Sequence, residues 1–420
     1  MIGGSGVVSR IGSSVEDRRL GRSLSGFFGA LGGTGARPAA QAGRDLRLDF
    51  FRGLALLFIF IDHVSGSVVT LFTMQSFAFC DAAEVFVFIS GYVAGLVYFG
   101  ILERRGPLIA TAFVFRRVWQ LYVANIFVFV IYAALVTYVF AQAGDPGFTA
   151  EAGLAPFLSH PAASIAQMLL LRFQPAFFDI LPLYVVLLAC FPLALFLMRW
   201  HPLLPLLPSA ALYLAAHYFG WTIDLYPADE HWTFNPLDWQ LIFVMGAIAW
   251  RAGALKRRLL PLWRRLRIAT VIFLAACAAI AFTHAFHGHP KFHWLPVLMP
   301  VAPWEANIDK SNLSLLRLVN FIALAYVASW AVRRDATFLS SRAARAVLLC
   351  GQNSLYIFCL GILLSTIATF ILGTVADALW VQLAVTAAGV AIMMGTAWLI
   401  TWYKRTGRSL SARPAPALAE

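Results

Sequence analysis

The chain has 420 residues, of which 60% are hydrophobic and only 12% charged, and its formal net charge is +12. Its mean hydropathy is +0.76, whereas a soluble domain is nearer half apolar and a quarter charged. These values exclude an ordinary soluble enzyme and indicate an all-α, polytopic membrane bundle of about ten transmembrane helices surrounded by lipid. The five cysteines, Cys80, Cys190, Cys277, Cys350 and Cys359, fall almost entirely within apolar runs and form no CxxC pair. Neither a disulfide framework nor a zinc site is expected from them.

Residues 1–43 are rich in Gly, Ser, Ala and Arg and hold no apolar run of signal-peptide length. They read as a flexible cytoplasmic tail, with Arg18–Phe28 as an alternative basic amphipathic surface segment. A membrane span needs about 20 mostly apolar residues. Ten candidates follow at 50–71, 82–102, 113–141, 178–198, 203–219, 238–253, 268–286, 315–332, 346–372 and 378–402. Residues 162–173 suit an extra short interfacial or re-entrant helix. The expected organisation is a transmembrane domain over 44–405 and a cytoplasmic C-terminal tail over 406–420.

Basic residues collect on one side of these spans: ERR at 103–105, Arg116, Arg117, Arg199, the KRRLLPLWRRLR run at 256–267, Arg333, Arg334, Arg342, Arg345 and YKRTGR at 403–408. The opposite loops hold Asp145, Glu151, Asp224, Asp229, Glu230, Glu305 and Asp309, with few basic residues beyond Arg172, Lys291, Lys310 and Arg317. The positive-inside rule makes the basic side cytoplasmic and, with an even span count, places both termini there. The net charge is then mostly a loop signature, and no nucleic-acid partner is needed to explain it.

The first span, RLDFFRGLALLFIFIDHV, carries Asp49, Arg52, Asp62 and His63. Ionisable groups at membrane depth are costly unless paired or hydrated, so they face the bundle interior. At about 100° per residue, Arg52 and His63 fall within about 20° of one face, with Asp49 within about 40° of His63. His63 lies about 20 Å beyond Phe50, in the outer half of the membrane, while Arg52 stays near the cytoplasmic edge. Singly, each has a plainer reading: a snorkelling Arg, an Asp at a helix start, a satisfied core His. On the second span, DAAEVFVFISGYVAG, Glu84 approaches the level of His63, Ser90 lies deeper, and Gly91 and Gly95 suit close helix packing. Asp62 or Glu84 beside the imidazole would make His63 a general base for a hydroxyl.

Here the sequence resembles the OpgC family, membrane succinyltransferases of osmoregulated periplasmic glucans, related to a larger transmembrane acyltransferase-3 group. The first two spans carry the likeness, together with FDILPLYVVLL at 178–188, WTFNPLDWQLIFVMG at 232–246, DKSNLSLLRL at 309–318 and CGQNSLYIFCLGILLS at 350–365. The resemblance implies an inner-membrane enzyme with succinyl-CoA, or another acyl-CoA, as cytoplasmic co-substrate and a periplasmic glucan hydroxyl as acceptor. It implies no permanently bound cofactor or metal. The essential His and Arg of the wider group fall on His63 and Arg52. The group's basic motif after the second span is matched less clearly, and Arg116 and Arg117 are its nearest counterparts.

On this reading Arg44, Arg47, Arg104, Arg105, Arg116 and Arg117 form a cytoplasmic rim suited to CoA phosphates. Asp49, Arg52 and Ser90 mark the donor's way in. The acceptor side offers Asp179, Asn235, Trp239, Gln240 and Lys310 beside Asp309 and Asn312, with Trp232, Phe234, Trp294 and Trp304 as sugar platforms or interfacial aromatics. His287, His289 and His293 in HGHPKFH read as a solvated loop in preference to a metal tract. Direct transfer and a covalent acyl-enzyme both fit. A homo-oligomer is left open. The rival reading is a proton-coupled transporter or exporter of a cell-envelope glycan, because such pathways also bury Asp, Glu, Arg and His.

Overall fold

A computed structural model describes residues 45–411 apart from 144–145, 229, 252–260, 263–264, 290–291, 293, 299–306 and 375–377. The predicted tail at 1–43, Arg44, Lys291, His293, Trp304 and much of the basic run at 256–267 lie outside the described residues. The described chain contains fourteen α-helices and no strand, only an isolated bridge between Asp224 and His231.

Helix α1 (Leu46–Asp62) is followed by two short 3-10 turns, Val68–Phe72 and Met74–Ser76. The first predicted span therefore ends about nine residues early. The chain turns at Gly66, whose φ of +73° suits glycine, and Ser67 caps the first 3-10 turn through the Val69 N–H. The returning loop is pinned by Asp62, which accepts bonds from the Thr73 hydroxyl and, at 3.1 Å, from Gln75.

Helix α2 (Ala82–Arg105) opens with a capping box: Asp81 accepts from the Ala83 N–H, and Glu84 accepts from the Asp81 N–H. It stops at Gly106, φ +83°, and Pro107 begins α3 (Pro107–Ala143). Three short helices follow: α4 (Pro146–Glu151), α5 (Ala155–Ser159) and α6 (Pro161–Leu169), the last realising the predicted short helix near 162–173. Next come α7 (Ile180–Trp200), α8 (Leu206–Phe219), α9 (Pro236–Ala249), α10 (Arg267–Gly288) and α11 (Leu315–Ala331). The predicted span at 346–372 is two helices, α12 (Arg342–Gln352) and α13 (Ser354–Thr374), broken at Asn353. The Asn353 amide donates to the Thr401 hydroxyl on α14 (Leu379–Ser411), and its oxygen accepts from Lys404 at 2.8 Å. These bonds tie the break to α14.

Six described helices, α2, α3, α7, α10, α13 and α14, are long and apolar enough to cross a membrane, and α8, α9 and α11 are shorter apolar helices. The chain is a helical-bundle membrane protein. Lipid is as apolar as leucine, so close packing and interhelical hydrogen bonds supply much of the cohesion between such helices. Gly91 and Gly95 bring α2 so near α9 that a Cβ on either would collide with the carbonyl of Phe243 or Ala247; Gly246 does the reverse against Phe88. A second close crossing joins α1 to α12, where a Cβ on Gly53 would collide with the Val347 carbonyl and one on Gly351 with that of Asp49. Between these crossings the core fills with Phe60, Phe99, Phe178, Phe191, Trp239 and Phe243.

Candidate functional site

His63 is the first residue past the end of α1. It is half-buried and lines a crevice with Phe60, Phe177, Asp179, Phe358 and Gly361. Its Nδ1 lies against the Ile59 carbonyl, one helical turn back. A carbonyl can only accept, so Nδ1 is the donor there, and in the neutral ring Nε2 keeps its lone pair. The Phe177 ring meets the imidazole edge-on at 4.5 Å between centroids. Phe177 has φ +73°, a left-handed conformation costly for an aromatic residue, and such strain tends to collect at functional sites.

The carboxylate that shares the crevice with His63 is Asp179, at the start of α7. Asp62 and Glu84, the carboxylates expected beside the imidazole, have other partners. Asp62 is occupied by Thr73 and Gln75. Glu84 is fully buried and held by Arg317, with Nη2 at 2.6 Å and Nε at 2.7 Å from Oε1. Arg317 also reaches Asp81 at 3.2 Å, and Lys310 joins the same Asp81 oxygen at 2.9 Å. Burial disfavours the charge on Asp81, but Lys310 and Arg317 outweigh it and hold that carboxyl well below its usual range. Arg317 entered the sequence reading only as a loop charge. The available signal was a cation in the first turn of an apolar helix, where the dipole disfavours it unless acids stand nearby.

Three acceptor-side candidates make hydrogen bonds within the architecture. Asn235 is the N-cap of α9, accepting from Leu237 and donating to Trp221, Asp238 and Asn312. Trp239 is fully buried, and its indole N–H donates to the carbonyls of Lys310 and Ser311. Gln240 joins α9 to α8 through Ser209. Asn235 and Trp239 set the loop that carries Lys310. Of the sugar platforms, Trp232 and Phe234 are buried, whereas Trp294 is exposed. His287 bonds the Leu295 carbonyl at 2.8 Å, and no metal-holding cluster occurs among the described residues.

The donor-side candidates occupy the opposite end of α1. Asp49 is buried and accepts from Gln352 at 3.3 Å. Arg52 donates to the Ile89 carbonyl at 3.0 Å, beside buried Ser90. Arg47 donates to the Ser329 and Val332 carbonyls, closing the C-terminus of α11, a structural task the sequence did not suggest. Arg116 and Arg117 are half-buried on α3, and Arg117 donates to Gln120. Arg104 and Arg105 are exposed at the end of α2. Helix α1 thus joins a basic end to the His63 end.

The OpgC protein family matches the chain over residues 44–405. The chain belongs to the OpgC family. As an OpgC-family member it is a membrane-associated, glucan-modifying enzyme of the transferase kind. Neither a curated protein nor a solved structure matches the chain.

Proposed function

We propose that this OpgC-family protein is an O-acyltransferase of the bacterial inner membrane, moving a succinyl group from cytoplasmic succinyl-CoA to hydroxyls of a periplasmic glucan. The observation that carries the reading is the contact of His63 Nδ1 with the Ile59 carbonyl, which in the neutral ring leaves Nε2 as a base on the crevice shared with Asp179. In this scheme Nε2 takes the glucan hydroxyl proton as the oxygen attacks the thioester carbonyl. The C–S bond then breaks, and the imidazolium returns the proton to the CoA sulfur. Asp179 stabilises the transient imidazolium.

The basic end suits the polyanionic half of CoA. Arg52, Arg116 and Arg117, with Asp49, Arg47 and Ser90 around them, would receive the donor there. Both termini would then be cytoplasmic, as the distribution of Arg and Lys suggests. A general base contributes about 10²–10⁴-fold to rate, so His63→Ala should abolish measurable transfer in a protein that still folds. The test is mass analysis of periplasmic glucans from cells carrying wild type or His63→Ala. Equal succinyl content in the two would refute the assignment.

A further inference from the structure

Asp81, Glu84, Lys310 and Arg317 meet at the His63 end of the bundle. Asp81, Glu84 and Arg317 are 7%, 0% and 6% exposed. The Lys310 side chain is 41% exposed. Its ammonium also stands 5.1 Å from the centre of the Phe234 ring, and it acts electrostatically on both His63 and Asp179. An ammonium has three donors, and one ion pair with Asp81 leaves capacity for a second anion. Arg317, on the same Asp81 oxygen, keeps that carboxylate compensated if Lys310 is shared.

The backbone under Lys310 is held from several sides. Its carbonyl accepts the Trp239 indole and the Leu313 N–H. Asp309 receives the Ser311 N–H and the Asn312 amide, and Tyr213 donates to the Leu313 carbonyl. A cation on a fixed loop, exposed at the His63 end of the bundle, is a built position for an anionic group.

We propose that Lys310 is the acyl-specificity residue of this site: its ammonium receives the distal carboxylate of a dicarboxylic acyl group whose thioester carbonyl lies at His63. The inference rests on the acyltransferase reading and adds the group that selects the acyl chain. A four-carbon acyl group ending in methyl makes no such charge-assisted bond. The difference is worth about tenfold or more in rate ratio.

The experiment uses purified full-length protein in detergent with a glucan acceptor, and follows release of CoA thiol from succinyl-CoA and butyryl-CoA. Wild type should prefer succinyl-CoA. In Lys310→Met the succinyl-to-butyryl ratio should fall at least tenfold, whereas Lys310→Arg should keep most of it. An unchanged ratio in Lys310→Met, including equal loss with both donors, overturns the proposal and leaves the acyltransferase reading standing. Should Lys310→Met fail to fold, free succinate and butyrate are compared as inhibitors of wild type. Stronger inhibition by succinate supports the site, and equal inhibition overturns it. A wild-type protein that transfers neither acyl group overturns both readings.

Discussion

Arg317 Nη2 stands 2.6 Å from Glu84 Oε1, joining the first turn of α11 to the first turn of α2 deep inside the protein. Removing one partner of a buried pair strands the other, at a cost of about 3–5 kcal/mol. Glu84→Gln and Arg317→Met should each lower the thermal unfolding midpoint in detergent, and the double variant should lose less than the sum of the two. A Glu84→Gln protein of normal stability without activity would instead return Glu84 to the reaction itself.

Asp179 and Asp62 are separated by their partners. Asp179→Asn should slow acyl transfer about tenfold or more while the fold is kept, because a neutral amide cannot stabilise an imidazolium. Asp62→Asn keeps an oxygen that can accept from Thr73 and Gln75, so activity should change little. Steady-state rates of the two variants at matched expression decide this, and the reverse order would make Asp62 the partner of His63.

The close crossing of α1 and α12 gives a steric prediction. Gly53→Ala and Gly351→Ala each drive a methyl into a backbone carbonyl and should destabilise by about 1–3 kcal/mol. Gly100→Ala, which meets nothing within 4 Å, should instead be neutral or gain up to about 1 kcal/mol from helix propensity. Unfolding midpoints of the three variants provide the comparison.

Acid should loosen the Asp81 cluster. The Asp81 carboxyl is held below its usual value in the fold. Its contribution to stability is therefore present above the unfolded value of about 3.9 and is lost as pH falls through the depressed folded value. Unfolding midpoints measured from neutral pH down to about pH 3 should drop in wild type more steeply than in Asp81→Asn. Parallel curves would show that the pair with Lys310 and Arg317 contributes nothing.

Membrane character, the approximate helix set and the chemical loading of the first two spans were legible in the sequence, because each is a local property. Apolar runs of span length mark helices, Gly91 and Gly95 mark a close approach, and an ionisable stripe at depth marks an inward face. What the sequence could not say is which charge meets which. Helical spacing puts Glu84 near the level of His63, but the partner it finds, Arg317, comes from a helix more than two hundred residues later. Asp179 lines the imidazole crevice two residues after Phe177, whose φ is left-handed, and an aromatic residue gives no warning of such a φ. Asn235, Trp239 and Gln240 look like a sugar site in sequence, and in the fold their hydrogen bonds go to Trp221, to the Lys310 loop and to Ser209 on α8. Periodicity fixes the direction in which a side chain points. Only the packing of distant helices fixes what it touches, and a buried charge is settled by its partner.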